Sequence, residues 1–365
     1  MVIINKKFWH NKKVLITGHT GFKGSWLSLW LQKMGAKVLG YSLPPPTQPS
    51  LFEIAKVAEG MISVIGDIRD LESLQSFITS QKPEIIIHMA AQSLVHYGYE
   101  NPVETYSTNV MGTVNILEAV RQTKCARVVL IVTSDKCYEN KEWVWGYREN
   151  DPIGGNDPYS SSKGCAELVT SAYRKSYFSG EKPNNNVAVA SVRAGNVIGG
   201  GDWSEDRLIP DIMKAFIEHR PVLIRNPQAI RPWQYVLDVL HGYLILAERL
   251  WNKGKEYTGE WNFGPLDEDA KPVSWIVNNI KEMWGDDASW KLDDNREYPK
   301  ESFYLKLNSS KARSKLQWKQ KLNLEEALNW TVQWYRNFIL NKDMRNYTEL
   351  EIYRYETLHK AENLK

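Results

Sequence analysis

Short, unbroken runs of aliphatic and β-branched residues, most of them followed by a stretch of helical composition, set the main constraint on this chain. Val14-Leu15-Ile16, Lys37-Val-Leu-Gly-Tyr41, Met61-Ile-Ser-Val-Ile65, Ile85-Ile-Ile-His88 and Val128-Val-Leu-Ile-Val132 recur in this way, and Val187-Ala-Val-Ala-Ser-Val192 supplies a sixth run. A strand with one wet face alternates apolar and polar residues, whereas a run without alternation is covered on both faces. Parallel strands joined by right-handed helical crossovers meet that condition. The expected fold is α/β, a doubly wound parallel sheet. Beyond residue 197 the alternation loosens into Gly199-Gly-Gly-Asp-Trp203 and proline-rich turns, which predicts a smaller, mixed α/β lobe.

The expected division is a nucleotide-binding domain over 11–196 plus about 230–263, a substrate lobe over 197–229 and 264–340, and a charged tail that frays over 341–365. Trp261-Asn-Phe-Gly-Pro265 is expected to return a strand to the sheet, and Leu324 to Phe338 reads as an amphipathic helix. Charge excludes several classes of partner. Lys plus Arg number 46 against 43 Asp plus Glu, a net +3 over 365 residues, so neither a nucleic acid nor a membrane surface is expected to bind. Cys125, Cys137 and Cys165 form no Cys-x-x-Cys pair, which points away from a disulfide framework and from a cysteine-rich metal site. With no long apolar span and no signal-type start, the cytoplasm is the expected compartment.

Gly18-His-Thr-Gly21-Phe-Lys-Gly24 falls between the first strand and the helical Trp26 to Met34. There, backbone N–H groups and a helix N-terminus can meet a pyrophosphate. Gly18, Thr20, Gly21, Phe22, Lys23 and Gly24 are therefore candidate dinucleotide contacts. Tyr41-Ser-Leu-Pro44 carries no acidic residue for an adenosine ribose, and no Arg or Lys follows before Ile54 to meet a 2′-phosphate; NAD is the expected cofactor.

Tyr159-Ser-Ser-Ser-Lys163 places a phenol and an amine four residues apart, on one face of a helix. A free phenol has a pKa of about 10, so a base working near pH 7 needs roughly 4 kcal/mol of differential stabilisation. Lys163 and an oxidised nicotinamide can provide it together.

With the glycine turn well over a hundred residues upstream, the chain resembles the extended short-chain dehydrogenase/reductase family over most of its length, which implies a Rossmann fold. The resemblance implies that Ser134 binds the reacting hydroxyl and that Asn109 is the family's structural and proton-relay asparagine. It also gives Asp67, Ile68, Ala90 and Ala91 cofactor contacts. Ser134-Asp135-Lys136 further resembles the nucleotide-sugar 4,6-dehydratases, which follow the serine or threonine with an acid/base pair. Asp135-Lys136 differs from the Asp-Glu of dTDP-sugar enzymes and implies CDP-glucose as substrate. By the same resemblance Asn196 and Arg231 bind substrate, with Arg207, Leu208, Trp233 and Lys306 as further candidates and Arg193 and Trp203 beside them. A homodimer through Val103 to Val120 and Tyr159 to Tyr177 is also implied. Dehydration of another nucleotide hexose, 4-epimerisation, or a non-catalytic NAD sensor remain the alternative readings.

Overall fold

The computed structural model describes residues 2–179, 187–285, 288–293 and 304–358. Seven parallel strands form the central sheet in the order β10-β6-β5-β4-β1-β2-β3. They are β1 Lys13–Thr17, β2 Lys37–Ser42, β3 Ile62–Ile65, β4 Ile85–His88, β5 Val128–Val132, β6 Ala188–Ala194 and β10 Gly259–Phe263. The six runs read from the sequence fall on the first six strands, and Trp261 returns as expected on edge strand β10.

Alternate residues of one strand enter two separate cores, which is why the runs carry no polar alternation. Val14, Ile16, Ile85, Ile87, Val128 and Leu130 pack on one face, with Trp26 and Trp30 of the Phe22–Lys33 helix and the apolar face of Val236–Lys253. Leu15, Ile86, Val129 and Ile131 point to the other, against Leu74 of Leu71–Gln81 and Ile116, Leu117 and Val120 of Gly112–Thr123. Each such side chain, when fully buried, contributes roughly 1.5–3 kcal/mol.

The smaller lobe contains a three-stranded sheet of β11 Ala270–Pro272, β9 Ile230–Tyr235 and β7 Asn196–Ile198, and a pair formed by β8 Val222–Ile224 and β12 Trp290–Leu292. The Leu324–Ile339 helix, read from the sequence to Phe338, is sealed at its start by a capping box between Asn323 and Glu326. No helix among the described residues is long and apolar enough to cross a membrane.

The tail departs from the sequence reading. Met344–Thr357 is a helix, and it docks on the nucleotide-binding unit rather than fraying. Met344, Ile352 and Tyr355 enter the core. Tyr235 donates to Glu351 Oε2 at 2.8 Å, Tyr355 donates to Asp238 Oδ1 at 2.7 Å, and Trp30 donates to Glu356 Oε1 at 2.9 Å. The charges that suggest a solvated tail are in part buried acceptors, a role visible only with their donors in place. Residues 359–365 lie outside the described residues.

Burial pushes the Glu351 carboxyl up to about 8 from an ordinary 4.5. The fold thus favours its protonated form, so the stability it confers is complete below about pH 4.5 and is lost as pH rises through about 8. Glu351→Gln is expected to flatten that decline while changing stability at acid pH by no more than about 1 kcal/mol, read from urea midpoints across the range.

Candidate active site

The glycine turn lies at the carboxyl end of β1. Gly18 adopts φ +77°, and a Cβ there would sit 2.7 Å from the Ala90 nitrogen; one on Gly24 would sit 2.1 Å from the Gly18 carbonyl. Backbone therefore approaches backbone where side chains would intrude. The helix that follows, Phe22–Lys33, has no side-chain cap at Gly21, leaving its first N–H groups and the positive end of its dipole for an anion. A cradle of this kind fits a dinucleotide pyrophosphate.

Thr17 ties β1 to β4: its hydroxyl accepts from the Met89 and Ala90 nitrogens at 3.2 Å each and lies 2.7 Å from His88 Nδ1. Ala90 and Ala91 follow directly beside the turn. Burial, aided by Lys163, holds His88 at about 3, so its ring is neutral. At the end of β2, the Thr20 hydroxyl donates to the Leu43 carbonyl and stands 2.9 Å from Ser42 Oγ; hydroxyls occupy the region where a ribose-binding carboxylate is absent. Phe22 is partly buried against the core. Arg69 grips Asp67 at 2.6 Å and holds that carboxyl below its ordinary value, and the Ile68 carbonyl accepts from Asn115 at 3.0 Å.

One strand over, β5 runs into a tight turn, Asp135–Cys137, with Ser134 as its cap. The Ser134 hydroxyl donates to Asp135 Oδ1 at 3.0 Å and accepts from the Lys136 nitrogen at 3.2 Å. Tyr159 and Lys163 lie in the first turns of Pro158–Tyr177, a helix that Asp157 caps by accepting from the Ser160 nitrogen at 2.9 Å. The Lys136 amine sits 5.9 Å above the Tyr159 ring. Ser134, Asp135, Lys136, Tyr159 and Lys163 are thus brought together.

Burial moves the group toward neutral forms. It pushes Tyr159 up to about 12, opposed by the Ser134 hydrogen bond, and pushes Lys163 down to about 7, assisted by Lys23. It also raises the Asp135 carboxyl, while Lys136, Ser134 and Arg231 pull it back. Asp135 Oδ2 is buried without a hydrogen-bond partner and lies 3.0 Å from where a Cβ on Gly195 would sit.

Lys23 was placed by the sequence only in the phosphate turn. Burial and Arg207 bring it down to about 8, and Asp135 and Asp202 oppose them; it therefore shares the electrostatic field of Lys163 and Asp135, which no sequence spacing signals. Asn109 lies in a π-turn, Ser107–Met111, that interrupts the helix expected over Val103 to Val120. It accepts from the Gln92 nitrogen, donates to the Gln92 carbonyl, and donates to Ser162 at 2.8 Å, fixing the loop after β4 to the Tyr159 helix.

The lobe residues divide. Arg231 is buried, donates to the Ile230 carbonyl at 3.0 Å, and its charge reaches Asp135. Arg207 reaches Asp202 at 3.2 Å and Ser93 at 2.8 Å across the mouth between the lobes, and Leu208 opens the helix behind it. Asn196 begins β7, paired with Trp233 on β9. Lys306 stands 3.6 Å from Asp267 and 5.1 Å above the Tyr304 ring.

Three expectations change. Trp233 is a core residue whose indole donates to the Lys271 carbonyl at 3.2 Å, so it has no free face for a base. Trp203 packs edge-on against Tyr335 and Phe338. Arg193 lies within β6 rather than beyond it and is buried in an ion pair with Glu167 at 2.8 Å. Glu167 escaped notice, although it follows Lys163 by four residues on the same helical face.

A family model described as GDP-mannose 4,6-dehydratase matches residues 15–331. A CDP-glucose 4,6-dehydratase of Salmonella typhimurium is 56% identical over 354 residues, 97% of this chain and 98% of that protein. A probable dTDP-glucose 4,6-dehydratase of Sinorhizobium fredii is 25% identical over 88% of this chain and 92% of its own length. Among solved structures, a dTDP-glucose 4,6-dehydratase of Bacillus anthracis in complex with NAD superposes with a TM-score of 0.73 at 24% identity, covering 89% of this chain and 97% of that one. A UDP-glucose 4-epimerase of Thermotoga maritima with UDP-glucose gives 0.76 at 21%, over 89% and 99%. These two structures share the fold.

Because a Cβ on Gly24 would overlap backbone on two sides, Gly24→Ala is expected to weaken NAD binding by about 10-fold or more, a loss of at least about 1.4 kcal/mol. Calorimetric titration with NAD checks it.

Proposed function

The chain belongs to the GDP-mannose 4,6-dehydratase family, and on that premise we propose that it converts CDP-glucose to CDP-4-keto-6-deoxyglucose and water, with NAD as cofactor. One observation carries the reading: the Ser134 hydroxyl that donates to the buried Asp135 carboxyl at 3.0 Å also draws the Tyr159 phenol down against its burial. A 4-epimerase needs the phenol and the serine but no acid beside them. A sensor needs neither. The 56% identity to a CDP-glucose dehydratase over nearly the whole chain supports the substrate.

The Gly18–Gly24 cradle would hold NAD, which would supply the reversible hydride acceptor needed at C4 and C6 of the sugar. The chain's residues move the protons. Tyr159, steadied by Ser134, takes the 4-hydroxyl proton, and Lys163 stabilises the phenolate electrostatically. The resulting ketone acidifies the adjacent C5–H. Lys136 then removes the C5 proton, Asp135 protonates the departing 6-hydroxyl, which leaves as water, and Lys136, after exchange with solvent, gives a proton back to C5 as C6 is reduced. Burial raises the Asp135 carboxyl, the direction a general acid requires.

Arg231 meets the diphosphate, with Asn196, Arg207, Leu208 and Lys306 as further contacts of the nucleotide sugar. Gly18, Thr20, Gly21, Phe22, Lys23, Gly24, Asp67, Ile68, Ala90 and Ala91 line the cofactor, and Asn109 holds the helix pair that carries the reacting groups. We assign residues 11–196 with about 230–263 to the cofactor domain, joined by the docked C-terminal helix, and 197–229 with 264–340 to substrate.

Two copies pair through the helices around Val103 to Val120 and Tyr159 to Tyr177. Exposed Val103, Tyr106, Met111, Leu168 and Tyr177 support that pairing. The cytoplasm, where nucleotide sugars are made and used, is the compartment this reading implies.

Incubating CDP-glucose, dTDP-glucose, GDP-mannose and UDP-glucose separately with protein and NAD in heavy water, followed by mass spectrometry, tests the proposal. Loss of one water with one solvent deuterium at C5 is expected from CDP-glucose; loss only from another donor corrects the base, and loss from none removes the dehydratase reading. Tyr159→Phe is expected to lower kcat by about 10²–10⁴-fold. Lys136→Ala should abolish deuterium entry at C5 while NAD still binds, and unchanged dehydration would reduce Lys136 to a structural role.

A further inference from the structure

Glu167 is the largest commitment of buried charge that the proposed mechanism leaves unused. Its side chain is 2% exposed, as is that of its partner Arg193. Replacing such a pair by apolar residues is often neutral or stabilising, so stability alone does not account for it. Its connections do.

Glu167 Oε1 accepts from the Thr133 hydroxyl, and Oε2 accepts from Ser191 at 2.6 Å and from Arg193 Nη2 at 2.8 Å. Arg193 Nη1 donates onward to the Tyr138 hydroxyl at 2.6 Å and to the Glu149 carbonyl at 3.1 Å. Tyr138 in turn donates to Asn262 on β10 at 2.8 Å. Thr133 immediately precedes Ser134, and Tyr138 immediately follows Cys137. One carboxylate therefore ties both ends of Ser134-Asp135-Lys136-Cys137 to the helix that carries Tyr159 and Lys163, each four residues before the next. Between these ties Cys137 N donates to the Ser134 carbonyl at 3.2 Å, Ser134 Oγ accepts from Lys136, and the Cys137 carbonyl accepts from Gly154 at 2.9 Å.

We propose that Glu167, acting through Thr133 and Arg193, is a positioning residue that sets the register of the Ser134-Asp135-Lys136 turn against Tyr159 and Lys163. The inference rests on the dehydratase reading above, because it assigns different tasks to the two sides of that register. Tyr159 and Lys163 stay on their helix when the tie is cut. Asp135 and Lys136, midway between the two anchors, drift. Elimination then suffers more than oxidation of the sugar, and the reduced nicotinamide persists within a turnover.

Single removal of Glu167 would strand the Arg193 charge in the core and risk unfolding, so the test uses Glu167→Met combined with Arg193→Met, which removes both charges. The double variant is expected to keep its thermal midpoint within a few degrees and its KM for CDP-glucose within about threefold, while kcat falls about 100-fold, the loss that follows a displacement of roughly 1 Å. Single-turnover spectra should show reduced-nicotinamide absorbance that outlasts that of the wild type.

Thr133→Val cuts the leading tie without stranding a charge. It should lower kcat by about 10-fold at unchanged KM, about 1.4 kcal/mol on the barrier, and Thr133→Ser should restore it. A folded double variant with kcat within about threefold of wild type overturns the proposal, as does Thr133→Val at the wild-type rate even if the double variant does not fold. Wild-type protein in the same assay separates the two readings: failure of the wild type to dehydrate CDP-glucose defeats the dehydratase assignment, whereas undiminished variants beside an active wild type defeat only the positioning role.

Discussion

Desolvation of ionisable groups at the carboxyl ends of β1, β4 and β5 is the constraint around which the rest of this structure is arranged. A parallel sheet covered on both faces offers few places where polar side chains can gather, and its carboxyl edge is the principal one. Here that edge collects Lys23, His88, Asp135, Tyr159 and Lys163, and burial shifts each toward its neutral form. In water these groups would titrate far from one another. In the cleft Lys163 comes down to about 7 and Tyr159 goes up to about 12, so small additions of charge alter which proton moves. A cationic cofactor beside the phenol favours its ionisation, and an entering diphosphate favours the ammonium forms of the lysines.

Buried polarity of a second kind surrounds this edge and behaves differently. Arg193 and Glu167 form a buried ion pair, with hydrogen bonds to Thr133, Ser191 and Tyr138 around them. Asp238 accepts from the Lys321 nitrogen at 2.6 Å and from Tyr355. Such groups gain little net stability from their charge, but they define geometry, since a displaced partner leaves a polar atom unsatisfied in the interior. Asp135 Oδ2 is buried and without a hydrogen-bond partner, as is Arg193 Nε.

The strands were legible in the sequence because a double-sided core imposes unbroken apolar runs, and the first six lie where those runs are. The glycine turn and the Tyr159-Lys163 spacing were legible because local backbone geometry alone dictates them. What escaped depends on contacts between distant segments. Trp233 reads as an exposed ring beside a pocket until Lys271 of β11 covers its N–H. Lys23 looks like a loop residue until the charges of Arg207, Asp135 and Asp202 come within its reach. The C-terminal helix reads as solvated charge until Tyr235 and Trp30 donate to its carboxylates and Asp238 accepts from its Tyr355. Glu167 offered a signal that could have been used, the recurrence at four and eight residues from Tyr159, but helical spacing does not say which face a carboxylate occupies.

Combining redox and elimination chemistry in one pocket imposes opposite demands on neighbouring groups. The first step needs a tyrosine willing to lose its proton, and the second needs a carboxyl that retains one. Ordinary values run the other way, about 10 for the phenol and about 4 for the carboxyl, so a solvated site would hold both in the wrong state. Burial corrects the carboxyl and worsens the phenol, as the directions for Asp135 and Tyr159 record. The phenol therefore needs compensating positive charge that the carboxyl must not receive in full. Ser134 and Arg207 draw the phenol down against burial, and in the proposed reaction Lys163, one helical turn from Tyr159, adds to them. The turn at Ser134 answers the second, spending one Asp135 oxygen on a neutral hydroxyl and leaving the other unpartnered. Holding that turn still relative to the helix is thus a condition of the chemistry, and a buried ion pair spanning β6 and the helix is a rigid means of meeting it.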